Sequence, residues 1–141
     1  MDKKIEPRGV RNCNPLNIRP GSPWKGLRKV QTDKGFCQFE SMAYGWRAGL
    51  ILIRNYIQGR VSSKKKYDTI AAIIFRWASP LENNTQAYID SVSHQTGIHW
   101  LEKISWHDRA KVCAIVQAMA RVECGRTFPI EDIQSAYDLL T

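Results

Sequence analysis

Residues 107–124 place apolar side chains on nearly every side of a helix, and this stretch constrains the fold more than any other. A helix that is apolar almost all round lies at the centre of a domain. Gly125 follows it, at the position where a helix commonly ends. Because 141 residues are typical of one domain, the sequence predicts a single domain, residues 1–141, around this central helix.

Four further helices are predicted from apolar residues spaced three and four apart. One covers residues 42–58, after Ser41 and before Gly59, and its buried stripe includes Trp46. The other three are a helix capped by Asp68 that ends before Pro80, a helix from Asn84 or Thr85 to Gly97, and a helix that begins at Pro129. About five helices therefore surround or form the core.

Residues 8–40 have a different pattern, rich in Gly, Pro and Asn. These residue types favour turns, so residues 8–16 are expected to form a shaped loop rather than a helix, running into a short strand at 17–19. Further short strands are expected near 29–32 and 36–39, around a turn at 33–35. The predicted fold class is α+β and mainly α: a small antiparallel β-hairpin lobe packed beside the helices.

The net charge of +8 favours anionic partners, either nucleic acid or an acidic cell envelope. No recognition-helix or base-stacking motif is present, so nucleic acid is not the expected partner. The three histidines and four cysteines lack a zinc-binding spacing, and no glycine-rich phosphate loop occurs, so no metal or cofactor is expected. Cys113 is predicted to be a buried thiol, whereas Cys13 and Cys37 either pair or stay free.

The first seven residues lack the apolar segment of a secretory signal, and no apolar run is long enough for a membrane span. We therefore expect synthesis in the bacterial cytoplasm. If the target lies outside the cytoplasm, another device must deliver the protein.

Three glutamates are candidates for acid chemistry. Glu82 stands between two predicted helices, next to apolar residues that would keep its carboxyl protonated, as a general acid requires. Glu40 ends a predicted strand at the edge of the cleft expected between the two lobes, and Glu6 precedes the arginine- and asparagine-rich loop. Each has a plainer alternative: Glu82 and Glu40 as acids at a helix N-terminus, and Glu6 as a solvated terminal acid.

Polar side chains near these acids are expected to line a saccharide groove. They are Arg11, Asn14, Asn17, Asn83, Asn84 and Tyr88. Most glycosidases need two carboxylates, one as acid and one as nucleophile or base. A lytic transglycosylase needs only one, because the sugar's own hydroxyl completes the reaction.

Three blocks of the sequence, residues 8–19, 35–48 and 76–89, together resemble a family of phage and prophage proteins of the Bacteroides group. This family is described as structural protein P5-like or lysozyme-like. The resemblance implies a lysozyme-like fold and the glycan strands of peptidoglycan as substrate. The chain is also similar to bacterial glucosaminidases, whose catalytic Glu lies well before the asparagine-rich strand; here Glu6 is the only acid there besides Asp2.

The leading hypothesis is a phage lysin or virion-associated murein hydrolase that cuts the glycan strand with a glutamate as general acid. It could be a lytic transglycosylase or an enzyme of the lysozyme or glucosaminidase type. The alternative is a non-catalytic protein, either glycan-binding or a structural part of the virion. The two differ in one observable, the release of muropeptides from purified murein.

Overall fold

The computed structural model describes residues 5–81 and 83–141, so Glu82 lies outside the described residues. The described residues form six helices. They are α1 (Arg8–Arg11), α2 (Met42–Gln58), α3 (Ile70–Trp77), α4 (Thr85–Thr96), α5 (Arg109–Cys124) and α6 (Ile130–Asp138).

Helix α5 is the central helix, as predicted. Its residues Val112, Cys113, Ile115, Val116 and Met119 are each 0% exposed. Helices α4 and α6 pack against it, α2 packs against α6, and α3 packs against α4. Burial on all sides of one helix is what its all-round apolar sequence requires.

The helix ends follow the local sequence closely. Gly59, Gly97 and Gly125 end α2, α4 and α5 in the left-handed conformation that glycine adopts without steric cost. Asn84 caps α4, as predicted, by accepting a hydrogen bond from the Ala87 N–H. The predicted cap of α3 is wrong by one residue: Thr69, not Asp68, accepts from a first-turn N–H, and the Asp68 carboxylate binds Lys103 instead.

The predicted β-hairpin lobe is wrong, because the described residues contain no sheet. The pairing between the predicted strands is reduced to one isolated antiparallel bridge, Leu27 with Phe39. Residues 12–41 form a folded loop packed against the helices, and Phe39 within it is 0% exposed. The described part of the chain is therefore helical with one long ordered loop.

Glutamine side chains explain why no ladder forms in this loop. The Gln31 amide accepts from the Gln38 backbone N–H at 2.8 Å and donates to the Gln38 carbonyl at 2.8 Å. The Gln38 side-chain oxygen accepts from the Thr32 N–H at 2.6 Å. The Gln38 carbonyl also accepts from the Arg28 N–H at 2.9 Å, but the Gln38 and Thr32 N–H groups bond to side chains instead of a second strand. Side-chain bonds of this kind compete with regular secondary structure.

The arginine- and asparagine-rich block also differs from the prediction. Residues 8–11 form the one-turn helix α1, where a loop was expected, and no strand forms at residues 17–19. Asn17 has φ 52°, in the left-handed region that excludes a strand and that Asn tolerates better than most residues. The Asn17 side chain bonds to Glu123 in the last turn of α5.

The structure also tests the predictions for the cysteines and for Trp46. Cys113 is buried, as predicted, and all four cysteines are free, so Cys13 and Cys37 do not pair. Trp46 is a core residue, 1% exposed, as expected. No described helix combines the length and apolarity that a membrane span needs.

The contacts of the Asp33 carboxylate stabilise the loop in a way that acid should remove. It accepts hydrogen bonds from the side chains of Arg8 and Asn12 and from the N–H groups of Gly35 and Phe36. The hydrogen bonds from Arg8 and then Asn12 hold the Asp33 pKa well below its usual range. A lowered folded-state pKa stabilises the protein above the unfolded-state pKa of about 3.9, and this contribution is lost as the pH falls further.

We therefore expect Asp33→Asn to lower the free energy of unfolding at pH 7, with a difference from wild type that shrinks from about pH 4 downward. Urea denaturation at a series of pH values measures this. Asp132→Asn, an exposed carboxylate in the first turn of α6, controls for the change in net charge. If the free energies of unfolding of wild type and Asp33→Asn differ by the same amount down to pH 2, the role given to Asp33 is contradicted.

Candidate functional site

A cleft of about 340 Å³ lies where the long loop meets the helices. This volume falls within the ~300–1,000 Å³ range of small-molecule sites. Four aromatic side chains from three parts of the chain line it. They are Trp24 and Phe36 from the loop, Tyr56 from α2 and Trp77 from α3.

Glu123, in the last turn of α5, contributes a half-buried carboxyl to this cleft. Its Oε1 accepts from the Asn17 side-chain N–H at 3.1 Å, and its Oε2 accepts from the Tyr88 hydroxyl at 2.9 Å. Burial raises the Glu123 pKa, although hydrogen bonds from Asn17, Tyr88 and Trp77 act in the opposite direction. The result is a carboxyl in a fixed position that holds its proton to higher pH than a solvated glutamate.

Asn17 is positioned by the left-handed turn described above. Its backbone N–H donates to the Asn14 carbonyl at 3.0 Å, while its side-chain oxygen is buried and has no hydrogen-bond partner. Gly9 makes this close approach to α5 feasible, because a Cβ there would lie 2.5 Å from the Cys124 sulfur and 3.0 Å from the Asn17 oxygen. Strained and unsatisfied groups of this kind concentrate at functional sites.

Tyr88 is the second side chain that donates a hydrogen bond to the Glu123 carboxyl. The residue is 7% exposed, and its hydroxyl also approaches the Met119 carbonyl, at 3.4 Å. Burial, together with the neighbouring Glu123, raises the Tyr88 pKa well above its ordinary value. Tyr88 therefore stays protonated and acts as a hydrogen-bond donor to Glu123 across the ordinary pH range.

Asn14 holds together the loop that contributes Ile18 to the cleft lining. It is 0% exposed, and its amide donates to the Ile18 and Cys37 carbonyls, each at 3.0 Å, while its oxygen accepts from the Ile18 N–H at 2.9 Å. All of these partners are backbone groups. Asn14 was predicted to bind saccharide, but its described contacts shape the loop that carries Asn17.

The structure brings some of the predicted binding residues together and separates others. Asn17 and Asn83 line the cleft, and Tyr88 lies beneath its carboxyl. Asn84 is the cap of α4, and Arg11 is exposed beside a second groove with Arg28. Half of the expected groove residues thus line the cleft or bond to Glu123.

The glutamates predicted to be catalytic lie elsewhere or are undescribed. Glu6 is exposed and forms an ion pair with Arg126, and Glu40 is exposed at the start of the segment that enters α2. Glu82 lies outside the described residues. The assignment of catalysis to any of the three stays a prediction.

Sequence reasoning missed Glu123, although one signal was available. Glu123 is the only acid in α5 and stands in its last turn. The negative end of the helix macrodipole disfavours a carboxylate there, so such an acid suggests a role other than helix stability. Within the described residues, no three His, Cys, Asp or Glu side chains are grouped so that they could hold a metal ion.

These contacts describe a helical protein with one half-buried acid in an aromatic cleft, and sequence comparison places it among bacteriophage proteins. Protein P5 of Pseudoalteromonas phage PM2 is 33% identical to the chain over 136 residues, which cover 93% of the chain and 80% of the phage protein. The chain belongs to the family of this phage protein P5. No family model matches the chain.

Proposed function

We propose that this protein cleaves the glycan strands of peptidoglycan, with Glu123 as the general acid. In activity it would be a murein-cleaving lytic transglycosylase, used by a phage at the cell wall or in the virion after delivery by another device. The observation that carries the proposal is the half-buried Glu123 carboxyl with its raised pKa, in an aromatic cleft. Similarity to a phage protein supports a role in a phage.

The walls of the cleft suit a sugar chain. Trp24, Phe36, Tyr56 and Trp77 offer flat apolar faces on which pyranose rings can stack, and Asn83 offers a side-chain amide for sugar hydroxyls. A site of this composition combines apolar area with a few polar groups that fix orientation, as ligand sites generally do.

The hydrogen bonds around Glu123 fit both halves of a proton transfer. Before the reaction, burial favours the protonated form of the carboxyl, which can donate its proton to the glycosidic oxygen of the leaving sugar. As the glycosidic bond breaks, Glu123 becomes a carboxylate, which the Asn17 amide and the Tyr88 hydroxyl stabilise through the bonds they already make. The cationic sugar left behind is the oxocarbenium-like species of glycoside cleavage.

One acid is sufficient if the sugar's own hydroxyl attacks the anomeric carbon. That hydroxyl forms the new C–O bond of an anhydro ring, and its proton returns to the Glu123 carboxylate. Among the residues that the structure describes, Glu123 is the carboxyl in the cleft lining. The proposal is therefore a lytic transglycosylase reaction rather than hydrolysis with a second carboxylate.

Mass spectrometry of purified murein digested by the protein tests the proposal. We expect muropeptides with anhydro ends. Reducing ends would contradict the single-acid route and indicate a second carboxylate. Sedimentation with murein and no released muropeptide would support the non-catalytic, glycan-binding alternative and overturn the proposal.

A further inference from the structure

A row of aromatic rings continues from the cleft onto the surface and carries two cations. The Trp77 and Tyr56 rings, both in the cleft lining, lie edge to face at 6.3 Å, and Tyr67 continues the row 6.2 Å from Tyr56. The Arg76 guanidinium lies 5.9 Å from the Tyr56 ring and 5.4 Å from the Tyr67 ring. The Lys65 amino group lies 5.5 Å from the Tyr67 ring.

We propose that this cationic ridge, Tyr56, Tyr67, Lys65 and Arg76, binds a carboxylate of the glycan substrate, so that the cleft selects acidic over uncharged glycans. The inference rests on the proposed function for its substrate. It adds a specificity-determining residue, Arg76, which does not touch the reacting atoms.

Arg76 has the geometry for this role. It is exposed, and the two tyrosine rings against its guanidinium restrict its movement by cation–π contact. A guanidinium placed in this way presents N–H groups at its edge, and two of them fit the two oxygens of a carboxylate. None of the ion pairs among the described residues involves Arg76 or Lys65.

The positive charge of residues 60–66 also favours an acidic substrate. Residues 60–66 contain four cations and no acid, and those four side chains are exposed. The Tyr67 N–H donates to the Tyr56 carbonyl at 2.7 Å, which joins this segment to α2 beside the cleft. A concentration of positive charge next to a cleft raises the local concentration of anionic substrate and loses this effect with added salt.

Carboxylates of two kinds in peptidoglycan have the required chemistry. One kind belongs to the stem peptide, and the other is the lactyl carboxylate that is freed when the peptide is removed. Glycan strands with stem peptides and amidase-treated strands without them distinguish these two sources. A chitin oligosaccharide of matched length supplies the same sugar backbone without a carboxylate.

The experiment measures binding of these three glycans at low salt to protein carrying Glu123→Gln, which prevents turnover. We expect at least one carboxylated strand to bind about tenfold more tightly than the chitin oligosaccharide, as a charge-assisted hydrogen bond provides. Adding Arg76→Gln should remove this preference and leave chitin binding unchanged, whereas Arg76→Lys should retain part of it. Arg121→Gln is the matched control, because Arg121 lies on α5 beside a different groove with His94.

The inference is overturned if Arg76→Gln weakens the binding of all three glycans equally or changes the binding of none. It is also overturned if no carboxylated strand binds more tightly than chitin. The proposed function can fail separately. In that case the wild-type protein releases no muropeptide, while the preference for carboxylated strands and its dependence on Arg76 are still measurable.

Discussion

Replacing Glu123 with Gln should reduce the release of muropeptides from murein by a factor of about 10²–10⁴, the range that general acid catalysis contributes. The amide has the shape of the carboxyl but no transferable proton. Its oxygen can still accept from Asn17, and the Tyr88 hydroxyl can turn toward the Met119 carbonyl, so the fold should be retained. Initial rates of soluble muropeptide release, with thermal unfolding as a check on folding, measure the effect.

Matched variants of the other glutamates make this prediction specific. Glu6→Gln and Glu40→Gln should retain wild-type rates, because both residues are exposed and neither is among the cleft-lining residues. Glu82→Gln distinguishes a mechanism with one carboxyl from a mechanism with two. Wild-type activity of this variant supports the single-acid route, and a loss of activity as large as that of Glu123→Gln supports two catalytic carboxyls. Activity of Glu123→Gln equal to wild type would reject Glu123 as the acid.

The helices were predictable because their signals are local. Apolar spacing identified α2 and α5, and the cap of α4 and the glycine ends followed from residue type alone. Residues 12–41 were mispredicted for a long-range reason. Turn signals there suggested short strands between the turns. Bonds to the side-chain amides of Gln31 and Gln38 formed instead of a ladder, and sequence does not reveal their partners.

The site was partly predictable for the same reason. Asn17, Asn83 and Tyr88 belong to polar segments that stand out in the sequence, and they do meet at or beneath the cleft. Glu123 stands 106 positions from Asn17, inside a helix that sequence reasoning assigned wholly to the core. Only the packing of α5 against the long loop brings the two residues together.

Replacing Gly45 with Ala should destabilise the protein by about 3 kcal/mol, the upper part of the range for overpacking a core. In most helices this change stabilises, because glycine in a helix interior costs about 0.5–1 kcal/mol relative to alanine. Here a Cβ would lie 2.1 Å from the Cys13 carbonyl oxygen and 2.8 Å from the Pro15 ring. The loop cannot easily retreat, because Cys13 already has a positive φ of 51° and Asn14 is bonded to three backbone groups.

Urea denaturation measures this loss, with two variants of the same helix as controls. Ala43→Gly, at an exposed position in the first turn, should cost less than the about 1 kcal/mol of a glycine in a helix interior. Gly49→Ala should cost less than Gly45→Ala, because the added Cβ meets the end of the Leu16 side chain rather than backbone. A gain in stability from Gly45→Ala would contradict the close approach of the loop to α2, and with it the position of Asn17 at Glu123, since both depend on the same turn.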